Sequence, residues 1–414
     1  MDPVRPARQA GDLYDNPELF RGLDSLEGLP DWLSPGETDA ERQHWAPWQR
    51  KGNQLFGLGG GALPGLGLAL GIALLGQLLA EIPSRVLGGT GMPVSPILVA
   101  ILLGLLVRNA IGLPSVYEPG LQLCLKRLLR VGVALLGLRL SLSAAGTLGL
   151  VAFPIVLGCI AAALFLVTRL GQLVGLPPRL STLIAVGTAI CGNSAIVAMA
   201  PVIGADDDEV SYAVGCVTLF GLIALLVYPF LGHALFDGEP TLVGLFLGTA
   251  IHDTAQVAGA SLVYLAQFGT PEVLETATVT KLQRNMFMLA VIPLMAFVSR
   301  RGQPQTPLSS QLKTAVPLFV FGFLGMSLLR TIGDFGDRPF GLLRPETWDA
   351  AIAASTQVAT LCLSLAMAAV GLGTSFARLR GLGLRPLGVG LAAATLVGFV
   401  SFVLVRTLGP LAAG

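Results

Sequence analysis

From Leu58 onward one apolar segment follows another, each long enough to cross a hydrocarbon core about 30 Å thick. No other feature narrows the fold as far. The runs fall near 62–81, 94–111, 121–140, 148–168, 180–203, 209–235, 241–266, 280–299, 313–331, 351–373 and 385–408. They predict an all-α polytopic membrane protein with about 11 transmembrane helices. Charged residues make up only 12% of the chain, against about 25% in soluble domains. The net charge of +1 argues against a nucleic-acid partner. The five cysteines lie in or beside apolar segments with no C-x-x-C pair, so they read as small buried hydrophobes.

Residues 1–55 differ from the rest. They are polar, contain Pro30, Pro35 and Pro47, and mix acids with bases. No apolar run near Met1 suggests a signal peptide. They are expected to be a cytosolic N-terminal extension to a transmembrane domain over 56–414. An odd number of spans puts the termini on opposite sides. With the N-terminus cytosolic, fifteen Lys and Arg fall inside and eight outside, which favours N-inside and C-outside. The acidic run Asp206-Asp207-Asp208-Glu209 then falls outside. Its plain reading is a helix start, where acids suit the helix dipole.

An internal repeat relates 121–168 to 351–408. Ala134 to Ser141 matches Ala368 to Ser375, and Leu148-Gly149-Leu150 matches Leu382-Gly383-Leu384. The paired spans, third and tenth, would run in opposite directions, as in transporters built from inverted repeats. A second echo is sharper. Gly187-Thr188-Ala189-Ile190 recurs as Gly248-Thr249-Ala250-Ile251, each followed by a polar cluster and Val-Ala. On a count of eleven spans these two run in the same direction, so either one of them re-enters rather than crosses or the echo is convergent.

Polar residues inside such spans are costly and mark cavities or transport paths. Gly187, Gly192, Asn193 and Ser194 are poor helix formers at membrane depth and predict an interrupted helix. The helix ends this creates suit an anion; a small-residue packing face is the competing reading. His252 and Asp253, side by side, are candidates for carrying a coupling proton, or else a satisfied histidine and a helix cap. Lys281 and Arg284 share a helix face and could hold an oxyanion, with Thr280 and Gln283 beside them, or they could snorkel to an interface. Arg139 reads as a lone interfacial arginine or a further anion contact; Gln256 and Asn285 are possible lining groups. No metal site, cofactor motif or catalytic constellation is visible, so enzyme activity is not expected.

At these residues the chain resembles the sulfate exporter family of YeiH-type bacterial inner-membrane proteins. The resemblance rests on Gly187-Thr188-Ala189-Ile190-Cys191-Gly192-Asn193-Ser194-Ala195, on Ala200-Pro201-Val202-Ile203, on Gly248 to Asp253, on Ala277-Thr278, and on Lys281 with Arg284. It covers roughly 62–408. Asn193 stands where the family pattern has a small residue or glycine. More distantly, the family is similar to the sodium/proton antiporter and bile-acid symporter fold, with inverted repeats, a core and a panel domain, and two broken helices that cross. The resemblance implies a secondary carrier of a small anion; the rival readings are a cation/proton antiporter using Asp253 and a membrane sensor or scaffold using the N-terminal extension. Gly187, Thr188, Cys191, Gly192, Asn193, Ser194, Gly248, Thr249, Lys281 and Arg284 would contact substrate, and His252 and Asp253 would carry a coupling proton, with sodium the other candidate for coupling ion. Membrane lipid is the other expected partner, and assembly as a homo-oligomer is open.

Overall fold

The structure, a computed structural model, describes residues 61–86, 95–298, 317–335, 339–341, 344–376 and 384–410. The extension over 1–55 lies outside them. Among the described residues the chain is helical, with no strand. In chain order the rods are α1 (Ala62–Val86), α2 (Pro96–Ala110), α3 (118–139, with a π turn at Cys124–Leu128), α4 (Leu142–Leu173), α5 (Pro178–Ala189), α6 (Asn193–Ile203), α7 (Asp207–Leu235), α8 (Pro240–Ala250), α9 (Thr254–Phe268), α10 (Pro271–Met286), α11 (Met288–Val298), α12 (Leu318–Gly333), α13 (Pro345–Gly373) and α14 (Leu384–Leu408). Prolines in the first turn start α2, α5, α8, α10 and α13, where their missing N–H costs nothing. Gly204 and Gly269 end α6 and α9 in the left-handed region, at φ 63° and 73°.

Five described helices are long and apolar enough to cross a membrane. The chain is an all-α membrane protein, but two of the eleven expected spans, 180–203 and 241–266, do not cross. Helix directions show why. A Cβ on Gly244 would meet Thr276, and one on Gly248 would meet Thr280, so α8 and α10 run parallel and closely packed. α10 begins two residues after α9 ends. α9 must therefore return to the level where α8 began. Its contacts agree: Gln256 lies against Gly221, Gly259 against Leu225 and Tyr264 against His233, so α9 runs parallel to α7. α8 and α9 are a helical hairpin.

The same holds for α5 and α6, from the other end. Glu209 at the start of α7 lies beside Arg179 and accepts from the Leu180 N–H, while Gly187 lies against Val217, so α5 runs parallel to α7. α6 starts beside Thr218 and ends within a short turn of Asp207, so it runs back. Gly187 packs on Ile196 across this fold. The interrupted segments thus turn back on themselves, where the resemblance implied broken helices that continue and cross. The acidic run also moves. It shares a membrane face with the 174–177 turn, not the opposite face, because the preceding segment re-enters. There it makes a capping box: Glu209 N–H donates to Asp206 Oδ1 (2.8 Å) and Asp206 N–H to Glu209 Oε2 (3.2 Å).

Around the hairpins, α1, α2, α3 and α13 form an outer group on a cluster including Ile72, Ala100, Leu121, Cys124 and Leu365. α3 packs on α13 within it: Gly132 lies against Ala359, Cys362 and Leu363, and Leu121 and Leu372 belong to the same cluster. Gly104 and Gly371 let α2 and α13 approach backbone to backbone.

Candidate functional site

Each hairpin breaks at its tip, and the tips meet. α5 stops at Ala189 because Ile190 leaves helical geometry (φ −118°, ψ −93°) and Gly192 adopts φ 71°. α8 stops at Ala250 because Ile251 and Asp253 are extended, with ψ near 138° and 148°. The sequence echo is therefore a structural one. Ile190 and Ile251 are the C-caps of the entering helices; Gly192 and Asp253 are the N-caps of the returning ones. α5 and α8 enter from opposite ends, so the two Gly-Thr-Ala-Ile segments run in opposite directions after all.

A helix that ends inside protein leaves carbonyls without partners. Here two cations on α10 take them. Lys281 Nζ donates to Ile190 O and Ile251 O, both at 3.0 Å, and to His252 O. Arg284 donates through Nε to Ala189 O (2.6 Å), through Nη1 to Thr249 O (2.7 Å) and Ile251 O (3.1 Å), and through Nη2 to Thr188 O. Both side chains are buried, 1% and 0% exposed. Burying two cations is expensive unless partners surround them. The negative ends of two helix dipoles supply such partners. An arginine fork suits this position because it spans carbonyls from both hairpins at once.

The candidate residues therefore converge, but with divided duties. All three Lys281 donors are spent on carbonyls, so it offers none to an anion in this conformation. Arg284 has four of its five N–H groups so engaged. The Thr188 and Thr249 hydroxyls turn back to Ile184 O and Leu245 O, each at 2.6 Å, and Thr249 also meets Ser401. Gly187 and Gly248 are packing positions. Thr280 backs onto Gly248 and donates to Thr276 O, and Gln283 reaches Gly149 O. Arg139 pairs with Glu275 at 2.9 Å. Cys191 Sγ lies 3.7 Å from Met288 Sδ, and the described cysteines are buried and form no disulfide.

The returning helices present the opposite polarity. Asp253 Oδ1 accepts from the Ala255 N–H at 2.8 Å, and Gln256 Oε1 closes a capping box on the Asp253 N–H. The other carboxylate oxygen lies against Gly192, the N-cap of α6, which has no side chain of its own to cap the helix. Asn193 exchanges hydrogen bonds with Thr218, whose carbonyl takes Gln256 Nε2 (3.2 Å). Asn285 Nδ2 donates to Thr254 Oγ1 (3.1 Å). Ser194, Thr218 and Thr254 are partly exposed while most of the surrounding helix is buried. An accessible space thus opens beside the N-termini of both returning helices. Sequence reasoning missed Thr218 because nothing around it breaks an apolar helix. It also missed Gly221, although a Cβ there would fall 1.9 Å from Gln256 Oε1.

Known proteins place the chain. The family described as "Conserved hypothetical protein 698" matches residues 64–390. The UPF0324 membrane protein OB3406 of Oceanobacillus iheyensis is 33% identical over 351 residues, covering 83% of this chain and 95% of the relative. The UPF0324 membrane protein Atu0671 of Agrobacterium fabrum is 33% identical over 345 residues, covering 83% and 92%. A third, from Fusobacterium nucleatum, is 31% identical over 328 residues, covering 77% and 91%. With the family matched across both hairpins and α10, the chain belongs to the UPF0324 membrane proteins.

Proposed function

We propose that the protein is a secondary transporter for a small anion, and that the anion sits between the hairpin tips, against the first turn of α6. The observation that carries this reading is the charge balance at the tips. The four half-helix ends cancel in pairs, two positive and two negative. Lys281 and Arg284 against Asp253 then leave one positive charge in surplus, in a buried setting. That surplus favours an anion and works against Asp253 as a site for a cation. Hairpins entering from opposite faces also supply the inverted arrangement that alternating access uses.

In this reading Lys281 and Arg284 act through the field they set behind the site, and Asn193, Ser194 and Gly192 meet the anion. Asp253 carries the coupling proton beside His252. Its carboxylate occupies the positive helix ends the anion needs, so neutralising it frees them. The resemblance to sulfate exporters supports a sulfur oxyanion and export. The Lys and Arg bias supports a bacterial inner-membrane protein with the N-terminus inside and the C-terminus outside. The test is uptake of radiolabelled sulfate and sulfite into proteoliposomes of the purified protein under an imposed proton gradient. Saturable uptake that collapses with the gradient is expected. Anion fluxes equal to those of protein-free liposomes would contradict the proposal.

A further inference from the structure

Two side chains at the α9 end of the site are buried with a polar atom unanswered. His252 is 1% exposed, and its Nδ1 has no hydrogen-bond partner among the described residues. The ring also hydrogen-bonds the Thr188 carbonyl, and Nδ1, the nitrogen without a partner, is the one left to accept. Asn285 is likewise 1% exposed. It gives Nδ2 to Thr254 Oγ1 and leaves Oδ1 without a partner. Both flank the start of α9: His252 precedes the N-cap Asp253, and Thr254 is the first helical residue. Buried acceptors are rarely left unmatched, and each such exception calls for an explanation.

The space beside the tips thus has two chemistries. The first turn of α6 offers N–H donors once the Asp253 carboxylate beside Gly192 is neutralised, since Gly192 has no side chain of its own to cap them. The α9 side offers the acceptors His252 Nδ1 and Asn285 Oδ1. A fully deprotonated oxyanion such as sulfate satisfies only the first. Resting on the transporter reading above, we propose that the substrate is a small oxyanion that keeps one O–H, of the hydrogensulfite or bicarbonate class. Its charged oxygens lie on the α6 N-terminus, and its O–H points to His252 Nδ1 or Asn285 Oδ1. These two side chains are then specificity residues. Sites built around a substrate hydroxyl discriminate strongly against analogues that lack it.

The test is uptake into proteoliposomes at mildly acidic pH, where sulfite is largely hydrogensulfite, with radiolabelled sulfite and sulfate measured side by side. Wild-type protein is expected to take up sulfite about tenfold faster than sulfate or more. Asn285→Ala and His252→Phe should each lower that ratio toward one. Asn285→Asp, which keeps the shape and an acceptor, should retain it. The readout is the ratio because a variant that merely folds less well loses both fluxes alike. Equal rates in the wild type, or an unchanged ratio in both variants, would overturn the inference and leave the transporter reading standing. No uptake of either anion would overturn both.

Discussion

Gly192 and Asp253 hold the same position in two opposed hairpins, the N-cap of the returning helix, and they touch. A Cβ on Gly192 would lie 2.8 Å from Asp253 Oδ2. With φ 71° and ψ −126°, Gly192 also occupies a region that residues with a side chain rarely adopt. Gly192→Ala should therefore cost about 1–3 kcal/mol. Thermal unfolding in detergent would show it as a lowered midpoint, and an unchanged midpoint would contradict the tip geometry.

Arg284 should be the most sensitive side chain in the molecule. Without it the carbonyls of Ala189 and Thr249 lose their donors inside the protein, and that of Thr188 keeps only the His252 ring. Arg284→Ala should destabilise by about 3–5 kcal/mol, the usual cost of breaking a buried charged network. Arg284→Lys should rescue little, because one ammonium cannot reach both hairpins as the fork does. Resistance to protease in detergent, compared across the two variants and the wild type, would check this.

Arg139 and Glu275 join the end of α3 to the start of α10 at 2.9 Å, with both side chains partly exposed. Exposed pairs of this kind contribute about 0–1 kcal/mol. Arg139→Ala should shift the unfolding midpoint only slightly, and the exchange Arg139→Glu with Glu275→Arg should restore it. A large loss in the single variant would mean that Arg139 does more than pair.

Much of this site was legible in the sequence because its parts are costly at membrane depth. His252, Asp253, Lys281 and Arg284 could not sit in apolar segments without partners, and the Gly-Thr-Ala-Ile echo marked both tips. What composition could not show was direction. A re-entrant hairpin and a crossing helix are equally apolar and nearly equal in length, so 180–203 and 241–266 both read as spans. Two hairpins in place of two spans leave the parity of the count unchanged, and the error surfaces in the acidic run between them. Nor could the sequence show that Lys281 faces carbonyls rather than a ligand. A buried lysine serves either purpose, and only the positions of Ile190, Ile251 and His252 decide.

The hairpins themselves are open to direct measurement. Single cysteines replacing Gly175, Asp207, Asp237 and Thr270, in a protein whose native cysteines are substituted, can be labelled from one side of sealed vesicles with an impermeant thiol reagent. Positions 175 and 207 should label together from one face, and 237 and 270 together from the other. Labelling of 207 from the face opposite both 175 and 237 would mean that the first segment crosses the membrane, and the opposed-hairpin site would be lost with it.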